Sequence, residues 1–278
     1  MKKQSLILFF IIAPFAAQAL LIKPWFSEPW EFELDTSLTY SRYRKVQNAV
    51  RPLKHASNDY LVAFDLSVVP GSAFAPEANW SYDIDLELAQ TPRQSFGFRS
   101  AAAQIRYLWL NDVVGDFASV VTGLNIRGVS HTSLRDVSCP YHYYGNIELN
   151  TSIGKEWNKL QYWVARTFAF LGIGTAYRGY PWIRAHLAVE GDHQDRFQYQ
   201  VFSRGYFGLG NRNKVNINHF HGYEFIRHRS IDIGAGFRYM FELWGSLTLE
   251  YSYRVYAHSF PEHVNFLTLC YRLPFSLF

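Results

Sequence analysis

One stretch near the end of the chain alternates apolar and polar residues without interruption. Between Gly245 and Val255 the apolar positions are Leu247, Leu249, Tyr251, Tyr253 and Val255. The positions between them are polar, namely Ser246, Thr248, Glu250, Ser252 and Arg254. Successive side chains of a β-strand point to opposite faces, so this period of two predicts a strand with one apolar and one polar face. The apolar face could contact either the core of a soluble β-sandwich or the hydrocarbon of a membrane.

The same alternation recurs along most of the chain and predicts about twelve strands. Their apolar faces begin at Trp30, Tyr60, Trp80, Ala101, Ala118, Tyr143, Leu160, Ile183, Phe197, Ile231, Leu247 and Leu267. The polar stretch Arg44–Asn58 and the Gly-rich stretches Gly172–Pro181 and Gly205–Gly222 predict loops. The phase of the seventh strand breaks at Arg166, which indicates a β-bulge. No helical period and no linker interrupts the pattern, so the chain is predicted to form one all-β domain.

The beginning of the chain has the features of a secretory signal peptide. Two lysines precede the apolar run Leu6–Phe15, which is too short to span a bilayer, and Ala17-Gln18-Ala19 has the small-x-small pattern of a cleavage site. We therefore predict that residues 1–19 are cleaved and that residues 20–278 form the mature domain. No later segment reaches the roughly 18 consecutive apolar residues of a transmembrane helix.

The number, length and spacing of the strands favour a membrane barrel over a soluble sandwich. The count is even, short connections alternate with longer polar ones, and aromatic residues, 18% of the chain, stand near strand ends. A periplasmic or secreted β-sandwich alternates in the same way, but these strands approach the roughly 9–11 residues needed to cross a bilayer at a tilt. We predict a single antiparallel transmembrane β-barrel, which must close because an open edge would leave unpaired backbone groups in hydrocarbon.

These features resemble bacterial outer-membrane β-barrel proteins as a class. The resemblance rests on the signal peptide, the alternating strands through residues 20–278 and the aromatic C-terminal residue Phe278. It implies location in the outer membrane, contact with outer-membrane lipid, short periplasmic turns and longer extracellular loops. It also implies recognition of the last strand by the outer-membrane assembly machinery, although Pro274 departs from an uninterrupted final strand.

If the apolar faces contact lipid, the polar faces line the lumen, and their charges are unevenly distributed. The predicted acidic lining consists of Glu33, Asp35, Asp65, Asp83, Asp85 and Glu87. The predicted basic lining consists of Arg106, Arg184, Arg204, Arg238, Arg254 and Arg272. An acidic wall facing a basic wall would suit a porin-like channel for small polar solutes or ions. The same charges could instead pair and fill the lumen, and Arg272 is expected to pair with Glu33 or Asp35 where the first and last strands meet.

Two other classes of function remain open from the sequence. Outer-membrane phospholipases resemble this chain in size and carry a His-x-Ser pair followed by an Asn. That resemblance implies His131 as the base, Ser133 as the nucleophile and Asn146 as the orienting residue, although His228 and Ser230 have the same spacing. The long loops would also suit a surface adhesin or receptor. The chain is therefore more readily interpreted as a channel than as an enzyme.

The remaining polar residues predict no cofactor and no metal. His219, His221 and His228, with Glu224 nearby, could hold a metal, but solvated loop histidines are the expected interpretation. The formal net charge is only +4, so no nucleic-acid partner is predicted. The two cysteines, Cys139 and Cys270, could form a disulfide in an exported protein or remain free buried thiols.

Overall fold

The computed structural model describes residues 22–49, 51–70, 79–159, 162–241 and 244–276. The predicted signal peptide, residues 1–19, and the terminal Phe278 lie outside the described residues. The strands are β1 (Glu31–Val46), β2 (Leu53–Val68), β3 (Trp80–Thr91), β4 (Gln94–Leu110), β5 (Ser119–Val129), β6 (Gly145–Lys159), β7 (Tyr162–Ala176), β8 (Trp182–His193), β9 (Phe197–Gly208), β10 (Arg229–Phe241), β11 (Gly245–His258), β12 (Pro261–Glu262) and β13 (Asn265–Ser276). No helix in this part of the chain is long and apolar enough to cross a membrane.

Twelve of these strands form a closed antiparallel barrel, which confirms the predicted fold. Each long strand pairs with its neighbour in sequence, and β13 returns beside β1 with Ser276 opposite Glu31. The two-residue β12 adds to this seam, where Glu262 lies opposite Lys45. Closure leaves no open sheet edge, as the hydrocarbon of a bilayer requires.

Apolar and polar residues lie on opposite faces of the barrel wall, as the alternation predicts. On β11, Leu249 and Tyr251 are 48% and 50% exposed, whereas Ser252 is 2% exposed. The same outward apolar exposure occurs around the barrel, at Ile84, Ile126, Leu149, Leu171, Leu187 and Val201. Soluble proteins rarely expose so extensive an apolar surface, and here it forms the band that contacts membrane lipid.

Several strands run further than the sequence pattern predicts. β1 and β2 together continue through most of the stretch Arg44–Asn58, which was expected to be a loop. β7 continues to Ala176, so the loop predicted at Gly172–Pro181 was wrong over its first half. The glycines there make room for the inner face: a Cβ at Gly174 would lie 2.2 Å from the Trp182 ring. The bulge expected at Arg166 lies two residues earlier, where Val164 is unpaired between β6 and β7.

The connections differ in length between the two ends of the barrel. The strand pairs β6–β7, β8–β9 and β10–β11 are separated by no more than three residues each. At the opposite end the long connections are residues 130–144 and residues 209–228, the second starting four positions later than predicted. Short periplasmic turns and longer extracellular loops are thus confirmed, with the two-residue extracellular turn 92–93 and the longer periplasmic connections 69–79 and 111–118 as exceptions.

Candidate functional site: the barrel lumen

The periplasmic half of the lumen is occupied by the N-terminal segment, residues 22–28. The Lys23 ammonium lies 2.5 Å from the Glu190 carboxylate, which is buried on the inner face of β8. The Arg106 guanidinium donates a 3.0 Å hydrogen bond to the Lys23 carbonyl, and the Ser152 hydroxyl donates a 2.6 Å bond to the Ile22 carbonyl. Three different strands therefore hold the segment through polar contacts.

Trp25 provides the aromatic anchor of this segment. Its indole N–H donates a 3.0 Å hydrogen bond to Asp112 in the periplasmic connection after β4. Its ring packs edge-on against Phe168 and lies beneath the Arg166 guanidinium, 4.9 Å from the ring centre. Gly154 provides the space, because a Cβ there would lie 2.9 Å from the indole. The segment is thus fitted into the lumen, although it forms no part of the barrel wall.

Most of the inward arginines form ion pairs with acids that lie one or two strands away around the barrel. Arg106 lies 3.1 Å from Asp83, Arg127 lies 2.7 Å from Asp85 and 3.2 Å from Glu87, Arg184 lies 2.6 Å from Glu148, Arg204 lies 2.7 Å from Glu250, and Arg254 lies 2.6 Å from Asp232. Arg272 lies 3.0 Å from Glu33 and 2.7 Å from Asp35, the pairing expected where the first and last strands meet. Asp65 is buried on the same inner face, and Arg238 donates to Thr248 and Gln198.

This pairing differs from the expected arrangement of one acidic wall facing one basic wall. Arg99 and Arg127, which the sequence analysis left out, lie beside the acids of β3. Glu148 pairs with Arg184 of β8, and Glu190 pairs with Lys23 of the N-terminal segment, so acids also lie on the side expected to be basic. The charges are therefore neutralised locally along the wall, so the field across the lumen is weaker than two opposed walls would create.

Above the N-terminal segment the lumen contains a cavity of about 230 Å³, here called the chamber. Ile22 borders it on the periplasmic side, and Tyr141 and Phe260 border it on the extracellular side. Its charged lining consists of Arg99, Arg127, Arg184, Arg204, Arg254, Glu87, Glu148 and Asp232. Guanidinium, carboxylate and aromatic groups thus surround one small space in the extracellular half of the barrel.

Two side chains of the chamber retain unused hydrogen-bonding groups. His186 is 3% exposed and stacks between Phe168 and Phe202, and within the described chain neither ring nitrogen has a hydrogen-bond partner. Arg204 uses one terminal nitrogen for Glu250, while its Nε has no partner among the described residues. Buried polar groups without partners cost free energy, so these atoms are ready to bond water or a solute that enters the chamber.

The extracellular mouth is covered by a hydrophobic cluster, here called the cap. Its buried members are Tyr43, Val46, Val137, Val215, Phe220, Tyr223, Ile226, Phe260 and Val264. Tyr223 is fully buried at its centre, with its ring centre 4.8 Å from those of Phe220 and Phe260. Its hydroxyl donates a 2.6 Å bond to the Val137 carbonyl, which joins loop 209–228 to loop 130–144.

Two buried histidines lie beneath the cap. The Nε2 atoms of His142 and His228 are 3.3 Å apart, and His142 stacks on Trp182. Burial lowers the pKa of His142 to about 3. Burial also lowers the pKa of His228 well below its usual value, and the neighbouring His142 and Arg254 contribute. Both imidazoles are therefore neutral at pH 7.

Comparison with known proteins adds to this geometry. No family model matches the sequence, and no curated protein shows significant similarity to it. Among solved structures, the COG4313 outer membrane channel from Pseudomonas putida F1 superposes with a TM-score of 0.64 at 8% identity, covering 90% of this chain and 97% of that one. The NanC porin superposes with a TM-score of 0.54 at 11% identity, covering 86% and 98%.

The chain has the fold of a bacterial outer-membrane β-barrel protein. Its closed sheet and apolar outer band place it in the outer membrane. At such low identity the neighbours show the fold alone, so the function of this outer-membrane barrel has to be argued from its lumen.

The residues suggested for a lipid hydrolase do not form a catalytic group in this barrel. His131 is exposed and its Nδ1 bonds the Tyr144 hydroxyl. Ser133 is buried and donates a 2.7 Å bond to Gln94, and the Asn146 amide donates a 2.6 Å bond to the Tyr143 carbonyl. Among the described residues no hydrogen bond joins His131 to Ser133, so the serine lacks a base in this arrangement.

The other polar candidates are likewise separated. His219 and His221 are exposed on loop 209–228, whereas His228 is buried beside His142. The described part of the chain contains no group of three or more His, Cys, Asp or Glu residues that could hold a metal. Cys139 and Cys270 are both free. Burial raises the pKa of the Cys139 thiol to about 11, so it is protonated and unreactive at pH 7.

Proposed function

We propose that this protein is a porin-like channel for small polar solutes or ions, closed in the present state by its N-terminal segment. The chamber carries the proposal. It offers a polar, charged space of about 230 Å³ inside the barrel, enough for several waters or one small solute. A barrel that served only as an anchor would need no such space.

The chamber chemistry favours solutes that carry both donors and acceptors. Its arginines are each held beside a carboxylate, so an entering solute meets alternating positive and negative groups. Unused donors at His186 and at the Arg204 Nε offer additional bonds. Local ion pairs would thus orient a dipolar solute more than two opposed walls would, and selectivity between anions and cations would be modest.

The proposal is tested by conductance in planar bilayers. The intact chain should conduct weakly, and a chain whose residues 22–28 are replaced by Gly and Ser of equal length should conduct at least about tenfold more. Shortening loop 209–228 within residues 213–221 in addition should increase conductance again. The channel proposal would be removed if the doubly altered chain showed no conductance. Heat-modifiable migration on a gel would first show that its barrel is folded.

A substitution in the chamber tests whether ions pass through the chamber. Arg204→Gln removes a cation and leaves Glu250 without its partner, so the reversal potential under a salt gradient should shift toward cation selectivity. Arg178→Gln removes the same charge from an extracellular loop, where the side chain is 61% exposed, and should shift it far less. Equal shifts from both variants would mean that the chamber does not set the selectivity.

The alternatives from the sequence receive no comparable support. A lipid hydrolase would need His131 to activate Ser133, and these side chains bond other partners. An adhesin or receptor would use the extracellular loops, and no specific contact there favours that function over a channel. Both remain predictions from the sequence alone.

A further inference from the structure

The β1–β2 hairpin extends above the aromatic boundary of the membrane band. Tyr40 and Tyr60 lie directly opposite each other on its outer face, with ring centres 5.5 Å apart, and the Tyr40 hydroxyl donates a 3.0 Å bond to Asn58. Tyr at such positions marks the interface between hydrocarbon and headgroups. Strand residues beyond this pair therefore stand at the level of the lipid headgroups.

The exposed surface of the hairpin above the tyrosine pair is basic. Arg42 follows Tyr40 by two residues, and Lys45 lies opposite Lys54. Arg42, Arg44, Lys45, Arg51 and Lys54 are all exposed. With a rise of about 3.4 Å per residue and a tilt of about 40°, Arg42 stands roughly 5 Å beyond the tyrosines. Lys45 stands roughly 10 Å beyond them, because the irregularity between Tyr43 and Lys45 removes about one residue from the rise. The headgroup layer on each side of a bilayer is about 5–8 Å deep, so these cations lie in it or just above it.

Two of these cations lie in an electrostatically unfavourable arrangement. Like charges directly opposite on an antiparallel pair are destabilising, and Lys45 and Lys54 occupy such a pair. Only Lys45 has an acidic partner among the described residues, Glu262 at 3.9 Å, and the Lys45 side chain is still 53% exposed. Within the described chain the compensation for this repulsion is thus limited to one long ion pair, which suggests a further compensating group outside the chain.

We propose that the exposed cations of this hairpin, which are Arg42, Arg44, Lys45 and Lys54 on its strands and Arg51 in its connection, bind the phosphate groups of lipids in the outer leaflet. Guanidinium groups pair with phosphate through two parallel hydrogen bonds, and lysines add point charges. A bound phosphate between Lys45 and Lys54 would turn their repulsion into attraction. This inference depends on the barrel and its membrane position, and it holds whether or not the lumen conducts.

The test uses the purified full chain and vesicles of phosphatidylcholine with or without bisphosphorylated lipid A. Arg42→Gln, Lys45→Gln and Lys54→Gln are combined in one variant. The matched control combines Arg178→Gln, Lys214→Gln and Arg227→Gln, which removes the same charge from exposed positions of other extracellular loops. Each cation near such a surface contributes about fivefold to affinity, so the hairpin variant should bind lipid A on the order of 100-fold more weakly.

The control variant should lose less than about fivefold, and vesicles of phosphatidylcholine alone should not distinguish the three chains. An equal loss in both variants would mean general electrostatic attraction and would overturn a specific site, as would no loss in the hairpin variant. Inorganic phosphate provides the last arm: competition by phosphate at the concentration of lipid phosphate would identify a site for free anions instead of lipid. Heat-modifiable migration confirms that each variant is a folded barrel.

Discussion

At the periplasmic end of the lumen the N-terminal segment is held by a buried ion pair and hydrogen bonds, whereas at the extracellular end the cap is held by aromatic and aliphatic side chains. When the segment leaves the lumen, water replaces each partner of the Lys23–Glu190 ion pair. The net free-energy cost of separating such a pair is small when both charges become hydrated. When the cap opens, Tyr223 and its neighbours expose apolar surface, which costs about 25 cal/mol per Å².

The two closures should therefore respond to different perturbations. The segment should be sensitive to loss of a single charge, because an unpartnered charge would stay buried in the lumen. The cap should be sensitive to truncation of a buried ring and, through its neutral histidines, to acid. This difference suits a channel that is controlled mainly from the periplasmic side.

The largest effect is expected for Tyr223→Ala. Truncating a buried aromatic side chain costs about 3–5 kcal/mol, and Tyr223 is fully buried at the centre of the cap. Amide hydrogen exchange in loop 209–228 should then become at least 100-fold faster, while exchange in residues 22–28 stays unchanged.

Two further variants serve as controls for the cap. Tyr177→Ala removes a tyrosine that is 91% exposed on the adjacent loop and should leave exchange unchanged. Tyr223→Phe removes only the bond to Val137 and should cost about 1 kcal/mol. If Tyr223→Ala speeds exchange at both ends of the lumen equally, the two closures are not independent.

The next largest effect is expected for Lys23→Met at the other end. It leaves the Glu190 carboxylate buried without its ion-pair partner, which should destabilise the bound segment by about 3 kcal/mol. Exchange in residues 22–28 should speed up on the order of 100-fold, with no change in loop 209–228. Adding Glu190→Gln should recover most of the loss, and failure of that recovery would show that the ion pair does not hold the segment.

The sequence predicts the barrel well because every membrane-spanning strand must present one apolar face to lipid and one polar face to the lumen. Leu249 and Tyr251 must contact lipid while Ser252 faces the lumen, and that requirement produces the period of two. Where the strands rise above the membrane the requirement ends. The β1–β2 hairpin extends above the membrane through the polar stretch around Arg44. This part of the hairpin has no apolar face toward lipid, so alternation in the sequence does not predict it.

The site is less predictable than the fold. Alternation along each strand assigns residues such as Asp83 and Arg184 to the inner face. The pairing of Arg184 with Glu148 depends in addition on how far the strands are shifted along one another around the barrel, and alternation does not determine that shift. The N-terminal segment was missed because it precedes the first strand and has no period. Its one signal was Lys23 between Ile22 and Pro24-Trp25, in a stretch too apolar for a solvated linker.

The smallest effect we expect is a loss of cap stability in acid. His142 has a pKa of about 3 under the closed cap, against about 6.5 when exposed to water. Between these values the open state binds a proton that the closed state does not, so cap stability is complete above pH 6.5 and falls as the pH is lowered. At pH 5 the loss from this histidine should be about 2 kcal/mol, and His228 should act in the same direction.

Hydrogen exchange of loop 209–228 at pH 7 and pH 5, corrected for the intrinsic pH dependence of exchange, measures this loss. His142→Gln combined with His228→Gln should abolish the pH response of the cap. His219→Gln combined with His221→Gln alters exposed histidines of the same loop and should preserve the response. Among the described residues a single buried histidine, His186, lies near the N-terminal segment, so residues 22–28 should lose less protection in acid than loop 209–228. A pH response that survives the buried pair of substitutions, or that appears equally at both ends, would mean that acid acts on the whole barrel and not through the cap.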